Sequence, residues 1–137
     1  YIDKVEGSRP VRMGSMIGNT GPLYCTGVGK AILAFLPEAE RGRLLAEIVF
    51  TACTPKTITG REELETELAG IRCRGYAVDD CEHEPGVFCV AAPVFDSLGG
   101  VAGAVSVSGS ELYLRDGQEC IAAQVTAAAR SISELLR

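Results

Sequence analysis

The segment from residue 79 to residue 89, DDCEHEPGVFC, concentrates the side chains of this chain that could do chemistry. It holds two cysteines, four carboxylates and the only histidine of the 137 residues. Cysteine and histidine bind zinc, and a cysteine beside a histidine can act as a nucleophile. Small and acidic side chains can also line a pocket for a small ligand. Three chemistries are therefore open for this segment.

A metal site here would use Cys81, His83 and Cys89 as its ligands. The segment offers no second pair of ligands, and an intervening Pro-Gly pair makes the spacing unlike that of common zinc sites. A thiol nucleophile would need His83 as its base, but glutamates flank this histidine on both sides and favour a solvated loop. We therefore expect no metal site and no cofactor.

The composition indicates one domain with a hydrophobic core. The six cysteines are irregularly spaced without a CxxC pair, and the 47% apolar content is sufficient for a core without disulfides. We expect free cysteines in a reducing, cytoplasmic compartment. A net charge of −5 with scattered basic residues argues against nucleic-acid binding by this chain. The sequence shows neither a membrane span nor a signal peptide.

A ligand pocket is favoured by the strand GAVSVSGS at 103–110. Strand alternation puts Ala104, Ser106 and Ser108 on one face, which leaves space and offers hydroxyl groups. On the preceding strand, alternation puts Val87 and Cys89 on one side. If the two faces coincide, Cys89 lies beside the serines, whereas a register shift of one residue would reverse this arrangement.

The stretch Gly27-Val28-Gly29-Lys30 opens a predicted helix but lacks the other residues of a P-loop or of a dinucleotide-binding loop. Its backbone N–H groups, at the positive end of a helix dipole, would suit a carboxylate. Close packing of the helix start would explain the two glycines equally well. Both interpretations stay open at this point.

The patterns along the chain predict two strands, three helices, three strands and a final helix, an order typical of an α+β domain with a mainly antiparallel sheet. The third helix should begin with a capping box formed by Thr59 and Glu62 and end at Gly75. The predicted elements are strands at 1–5 and 11–17, helices at 27–36, 37–48 and 60–74, strands at 76–80, 87–95 and 101–108, and a helix from about 116 with an apolar stripe of Ile121, Val125, Ala128, Ile132 and Leu135.

Four segments together resemble the effector-binding domain of IclR-type bacterial transcription regulators: PLYCTGVGKAILAFLP, TPKTITGREELETELAGIRCRGYAVDD, EHEPGVFCVAAPVFD and AVSVSGS. The resemblance runs from about residue 11 to the last helix. It implies a single GAF-like α+β domain over residues 1–137, with about six strands flanked by helices, and no catalysis. It also implies a homodimer or homotetramer that senses a small organic acid, while a winged helix-turn-helix domain absent from this chain binds DNA.

The resemblance also implies the residues of the effector pocket. On that basis we expect the carboxylate of the effector near the start of the first helix and the two serines, with Asp79 accepting a hydrogen bond from a hydroxyl group. The implied pocket residues are Met13, Gly27, Val28, Asp79, Val87, Cys89, Ser106 and Ser108.

The chain departs from the family pattern at three places near this pocket, which are Gly21, the pair Tyr24-Cys25, and Cys81 where a glutamate is usual. The effector therefore cannot be taken over from a relative. Two other functions remain open from the sequence. One is a GAF-like thiol redox enzyme that uses pocket cysteines such as Cys81 and Cys89. The other is an oligomerisation module with a vestigial pocket.

Overall fold

The computed structural model describes residues 1–8 and 14–137. Within these residues the chain forms an α+β domain in which none of the helices is both long and apolar enough to cross a membrane. The elements are α1 (Gly27–Phe35), α2 (Glu38–Glu47), α3 (Arg61–Arg74), β1 (Ala77–Asp80), β2 (Val87–Phe95), β3 (Val101–Ser110), α4 (Glu111–Leu114) and α5 (Gln118–Leu135), with a short 3-10 helix (Arg115–Gly117) before α5.

The three strands form one antiparallel sheet with β2 in the centre and β1 and β3 at its sides. The turn between β2 and β3 is held by Asp96, whose Oδ1 accepts hydrogen bonds from the N–H groups of Leu98 (2.8 Å) and Gly100 (2.9 Å). Gly99 has a φ of +80°, a conformation that glycine adopts without strain. The strands predicted at 87–95 and 101–108 are therefore confirmed, and this turn joins them as a hairpin.

Helices α1 and α3 cover one face of the sheet. Leu33 of α1 and Leu64, Leu68 and Ile71 of α3 are fully buried in one core cluster, which continues onto the sheet at Ala91. Burial of each of these large side chains contributes roughly 1.5–3 kcal/mol. Leu64, Leu68 and Ile71 therefore form the packing face of α3.

The ends of α3 agree only in part with the prediction. Gly75 ends the helix in the left-handed region, with φ at +84°, and its N–H donates to the carbonyl of Ile71 at 2.8 Å. The predicted capping box is wrong, because the N-cap residue is Gly60 and no side chain caps the helix. The helix begins one residue too late for Thr59 and Glu62 to reach each other's backbone in that motif.

Helix α5 covers the opposite face of the sheet, and its predicted stripe is confirmed at Val125 and at the partly buried Ile121 but not at Ala128, Ile132 and Leu135. Its buried residues are Ala122, Val125, Ala129 and Ser133, whereas Leu135 is 86% exposed. Small side chains let the helix approach β2 closely. Ser133 Oγ also accepts a hydrogen bond from the N–H of Phe95 at 2.9 Å, beside the irregularity in the β2–β3 register. A polar residue thus faces the sheet because a strand N–H needs an acceptor.

The first residues do not form the predicted strand in the part of the chain that the structure describes. Tyr1 nevertheless pairs with the segment before α1, since its amino group donates to the carbonyl of Asn19 (2.8 Å) and its carbonyl accepts from the N–H of Gly18 (2.9 Å). Part of the second predicted strand, with Met13, lies outside the described residues. The described sheet therefore has three strands rather than about six.

Candidate functional site

The face of the sheet toward α1 carries the predicted pocket residues in two neighbouring rows. Cys89 of β2 pairs with Asp79 of β1 on one side and with Ser108 of β3 on the other. Ala91 pairs in the same way with Ala77 and Ser106. Because directly paired residues of antiparallel strands point to the same face, the predicted position of Cys89 beside the two serines is confirmed. Val87 pairs with Ser110 at the end of the same face.

The start of α1 lies directly over Cys89. A Cβ atom added to Gly27 would be 2.7 Å from Cys89 Sγ and 3.3 Å from Ala91 Cβ, distances that leave no room for a side chain. A Cβ atom on Gly29 would be 2.7 Å from Pro22 O. Close packing therefore explains both glycines, the interpretation that the sequence alone could not separate from anion binding.

Close packing does not remove the hydrogen-bonding capacity of the helix start. Thr26 is the N-cap, and its Oγ1 donates to Pro22 O (2.6 Å) and accepts from the N–H of Gly29 (3.1 Å). The N–H groups of Gly27 and Val28 have no partner within the helix, as is general for the first turn. These two groups are the donors that α1 offers to a ligand.

Asp79 is buried and shapes the loop that follows β1. Its Oδ1 accepts hydrogen bonds from the N–H groups of Glu82 (2.7 Å) and His83 (3.4 Å). Burial raises the pKa of Asp79, while the hydrogen bond from the Glu82 N–H acts in the opposite direction. At least one carboxylate oxygen therefore supports the loop, in addition to any contact that Asp79 makes with a ligand.

Cys89 is suited to shape the site rather than to react. Its side chain is buried, and burial raises the pKa of its thiol to about 11, although hydrogen bonds from Ser108 and Ser106 oppose this rise. Burial also raises the pKa of the Cys81 thiol. Since the thiolate is the reactive form, neither cysteine is activated for the thiol chemistry that remained open from the sequence.

The family model described as bacterial transcriptional regulator IclR C-terminal matches residues 1–134 of the chain. The chain belongs to the IclR family of bacterial transcriptional regulators. It is 39% identical over 137 residues to the uncharacterized HTH-type transcriptional regulator RhmR of Escherichia coli, covering 99% of this chain and 53% of that protein. It is 36% identical to the HTH-type transcriptional regulator KdgR of Dickeya chrysanthemi, covering 98% of this chain and 44% of that protein.

Solved IclR structures share the fold. The crystal structure of Thermotoga maritima IclR matches with a TM-score of 0.83 and 39% identity, over 97% of this chain and 56% of that one. The C-terminal domain of Escherichia coli KdgR matches with a TM-score of 0.82 and 36% identity, over 88% and 74% of the two chains. The chain spans about half the length of the curated relatives it matches. Because these relatives are named as transcriptional regulators, the chain is a regulator domain rather than an enzyme.

The charged residues of this IclR domain are more deeply buried than the sequence suggested. Lys30 is fully buried, and its Nζ lies 2.6 Å from Glu82 Oε1 and 3.5 Å from Glu67 Oε1. Glu82 is not a solvated loop residue, since only 7% of its surface is exposed. Burial raises the pKa of Glu82, although the positive charge of Lys30 acts in the opposite direction. A lone lysine in an apolar helix was the signal for a buried partner. Lys30 is thereby engaged away from the site.

The structure also adds Tyr1 to the site, which the sequence did not indicate. A Cβ atom on Gly21 would be 3.1 Å from Tyr1 Oη, so the absence of a side chain at Gly21 leaves room for the tyrosine hydroxyl. Burial and the nearby groups of Cys89 and Asp79, in that order, raise the pKa of Tyr1. The side chain of Tyr1 therefore lies close to Gly21 and near enough to Cys89 and Asp79 to feel their charge.

A cavity of about 390 Å³ lies elsewhere, between α2 and α3. The three arginines that line it already have partners. Arg41 donates to the carbonyl of Leu36 (2.9 Å), Arg72 donates to the carbonyl of Ala34 (3.2 Å), and Arg61 pairs with a glutamate on its own helix. We therefore place the candidate site on the sheet face, where donors and hydroxyl groups converge, and not in this cavity.

The structure brings His83 to other cysteines than those considered from the sequence. His83 Nδ1 lies 3.7 Å from Cys25 Sγ, and Cys53 completes the group. Within the described residues Cys81 instead belongs to a group with Asp80 and Glu111. Burial, followed by repulsion from Cys53, raises the pKa of the Cys25 thiol to about 12. The sequence spacing gives no signal for this convergence, because 58 positions separate Cys25 from His83.

Proposed function

We propose that this domain binds a small organic acid as the effector of an IclR-type transcription regulator. The observation that carries the proposal is the arrangement of Asp79, Cys89 and Ser108 in one row beneath the start of α1. Because Gly27 packs against Cys89 itself, the ligand would lie beside this contact, where Gly27 and Val28 offer their N–H groups. Ser106 lies in the adjacent row.

An acidic ligand suits these groups because a carboxylate that leaves water must regain its hydrogen bonds. The N–H groups of Gly27 and Val28 lie at the positive end of the α1 dipole, and Ser106 and Ser108 can donate through their hydroxyl groups. Asp79 would repel a carboxylate beside it. The effector therefore directs its carboxylate to the helix start and the serines, and a hydroxyl group toward Asp79.

The position of Tyr1 supports the same orientation of the ligand. Its phenolic hydroxyl lies near Cys89 and Asp79 and close to Gly21, in the space where a ligand hydroxyl would be placed. We expect the effector to displace the Tyr1 side chain on binding. Met13, which the family resemblance assigns to the apolar wall, and Val87 complete the proposed pocket.

For the whole protein, we propose an N-terminal winged helix-turn-helix domain that binds DNA and a cytoplasmic homodimer or homotetramer. The relatives named as HTH-type regulators, about twice the length of this chain, support the first part. Exposed apolar side chains at Leu112, Leu135 and Leu136 support self-association. We also propose that residues 1–137 form one GAF-like domain whose sheet is extended by the N-terminal segment, consistent with the pairing of Tyr1 and Asn19.

A thermal-shift screen tests the effector proposal. Small hydroxy, keto and aromatic acids are compared with their own methyl esters and amides, which keep the shape but remove the charge. An acid at a hundred times its dissociation constant should stabilise the domain by ~2.7 kcal/mol. For a domain of this size that corresponds to roughly 8–12 °C in Tm. The proposal fails if the ester or amide of every active acid stabilises the domain as much as the acid does.

A further inference from the structure

Cys25, Cys53 and His83 converge at one corner of the domain, from three segments that are distant in sequence. Their ligand atoms all lie within 4.8 Å of one another, and Cys25 Sγ is 3.7 Å from His83 Nδ1. Tetrahedral zinc, with Zn–S near 2.3 Å and Zn–N near 2.1 Å, places a sulfur and a nitrogen ligand about 3.6 Å apart. The three side chains could therefore supply three of the four ligands of a tetrahedral zinc ion without a large movement of the chain.

The segments that carry the two cysteines are fastened to each other. Tyr24 Oη donates to the carbonyl of Thr51 (2.9 Å) and accepts from the N–H of the same residue (3.0 Å). Tyr24 directly precedes Cys25, and Thr51 lies two residues before Cys53. This double hydrogen bond ties the segment that carries Cys25 to the segment that carries Cys53.

The segment that carries His83 is fastened to the same loop. Thr57 Oγ1 donates to the carbonyl of Glu82 at 2.6 Å, and the N–H of His83 donates to Asp79 Oδ1 at 3.4 Å. Both bonds hold backbone atoms next to the imidazole and leave its ring nitrogens for other partners. The three side chains are thus preorganised by their neighbours, as a metal site requires.

The second group of possible ligands, Asp80, Cys81 and Glu111, differs in one respect. Arg115 already supplies a cation to it, because its guanidinium pairs with both carboxylates and lies 3.9 Å from Cys81 Sγ. The group around His83 has no such cation among the ion pairs of the described residues. The two groups therefore have different chemistry, and only the first suits a soft metal ion.

We propose that Cys25, Cys53 and His83 bind one Zn²⁺ ion through two thiolates and one imidazole nitrogen. Thiolate and imidazole ligands select zinc over magnesium or calcium, which take oxygen ligands. Cys25 is buried and Cys53 is exposed, so the fourth coordination position faces solvent and takes water. The ion would clamp the segment before α1 to the loops that carry Cys53 and His83. This proposal is independent of the effector proposal.

The test is a zinc titration of the reduced chain against a competing chelator, with Co²⁺ as a spectroscopic probe of thiolate ligation. Wild type should bind one equivalent of zinc and show thiolate-to-cobalt charge-transfer absorption. Loss of a residue that only hydrogen-bonds to a metal ligand already weakens metal binding about 10–100-fold. Loss of a ligand itself, in Cys53→Ser or His83→Gln, should therefore weaken zinc binding by at least about 100-fold. Cys73→Ser and Cys120→Ser, which alter exposed cysteines elsewhere, should leave it unchanged.

Three results would overturn the proposal. The reduced wild type could fail to bind a stoichiometric amount of zinc, or Cys53→Ser could bind zinc as tightly as wild type. The loss of two of the six thiols to a Cys25–Cys53 disulfide in protein kept under reductant would show a redox pair instead. Circular dichroism of each variant verifies that the exposed Cys53 and the half-buried His83 can be replaced without unfolding.

Discussion

Substitution of Gly27 by alanine probes the contact on which the candidate site is built. The added methyl carbon would lie 2.7 Å from Cys89 Sγ and 3.3 Å from Ala91 Cβ, so α1 or β2 must shift. Overpacking of this kind costs about 1–3 kcal/mol. The better helix propensity of alanine offsets up to about 1 kcal/mol of this cost. We therefore expect a net loss of about 1–2 kcal/mol in the free energy of unfolding.

Urea unfolding at equilibrium measures this loss, with two comparisons. Gly42→Ala in α2 is the matched control, because no atom lies within 4 Å of the added methyl carbon. It should raise stability by about 0.4–1 kcal/mol. The double variant Gly27→Ala with Cys89→Ala should be more stable than the sum of the single changes predicts, since the sulfur in closest contact is gone. Gly27→Ala with wild-type stability, or without coupling to Cys89, would refute the placement of α1 on β2.

Three further predictions concern the buried polar groups. Lys30→Met should destabilise the fold by about 3–5 kcal/mol in urea unfolding, because it leaves Glu82 buried without its partner. Adding Glu82→Gln should recover part of this loss, and equal stability of the single and double variants would contradict the prediction. The pKa of Glu82 is raised in the folded state, so the folded form keeps the Glu82 proton to higher pH than the unfolded form. The stability of wild type relative to Glu82→Gln should therefore fall as pH rises from about 4, and a stability difference that does not change with pH would contradict this. A short iodoacetamide pulse at pH 7.5, read by mass spectrometry, should alkylate the exposed Cys53, Cys73 and Cys120 well before Cys89. The thiol of Cys89 is buried and has a pKa of about 11, so early labelling of Cys89 would argue against its burial.

Local patterns predicted the parts of this domain that depend on neighbouring residues. The alternation of small and apolar residues along β3 identified the face of Ser106 and Ser108, and the paired strands then put Cys89 beside them. The glycine pattern located the start of α1, although only the structure shows Cys89 beneath Gly27. Periodicity succeeds here because strand and helix geometry repeat over a few residues.

The parts that the sequence did not predict depend on contacts between distant segments. Lys30 and Glu82 are 52 positions apart. A lysine in an apolar helix indicates that a buried partner exists, but the spacing does not identify that partner as Glu82. On α5, Ser133 faces the sheet because the N–H of Phe95 needs an acceptor, while Leu135 stays exposed. The sequence of α5 alone cannot predict this, because the unpaired N–H of Phe95 arises from the irregular register between β2 and β3.

Titration calorimetry on Ser108→Ala tests the central claim most directly, using an acid selected by the thermal-shift screen. Ser131→Ala, an exposed serine on α5, serves as the matched control. The hydroxyl of Ser108 should contribute about 0.5–1.5 kcal/mol as a neutral hydrogen bond, or somewhat more to a carboxylate. Binding should therefore weaken about 2- to 13-fold in Ser108→Ala and stay unchanged in Ser131→Ala. Unchanged affinity in Ser108→Ala would contradict the proposed site.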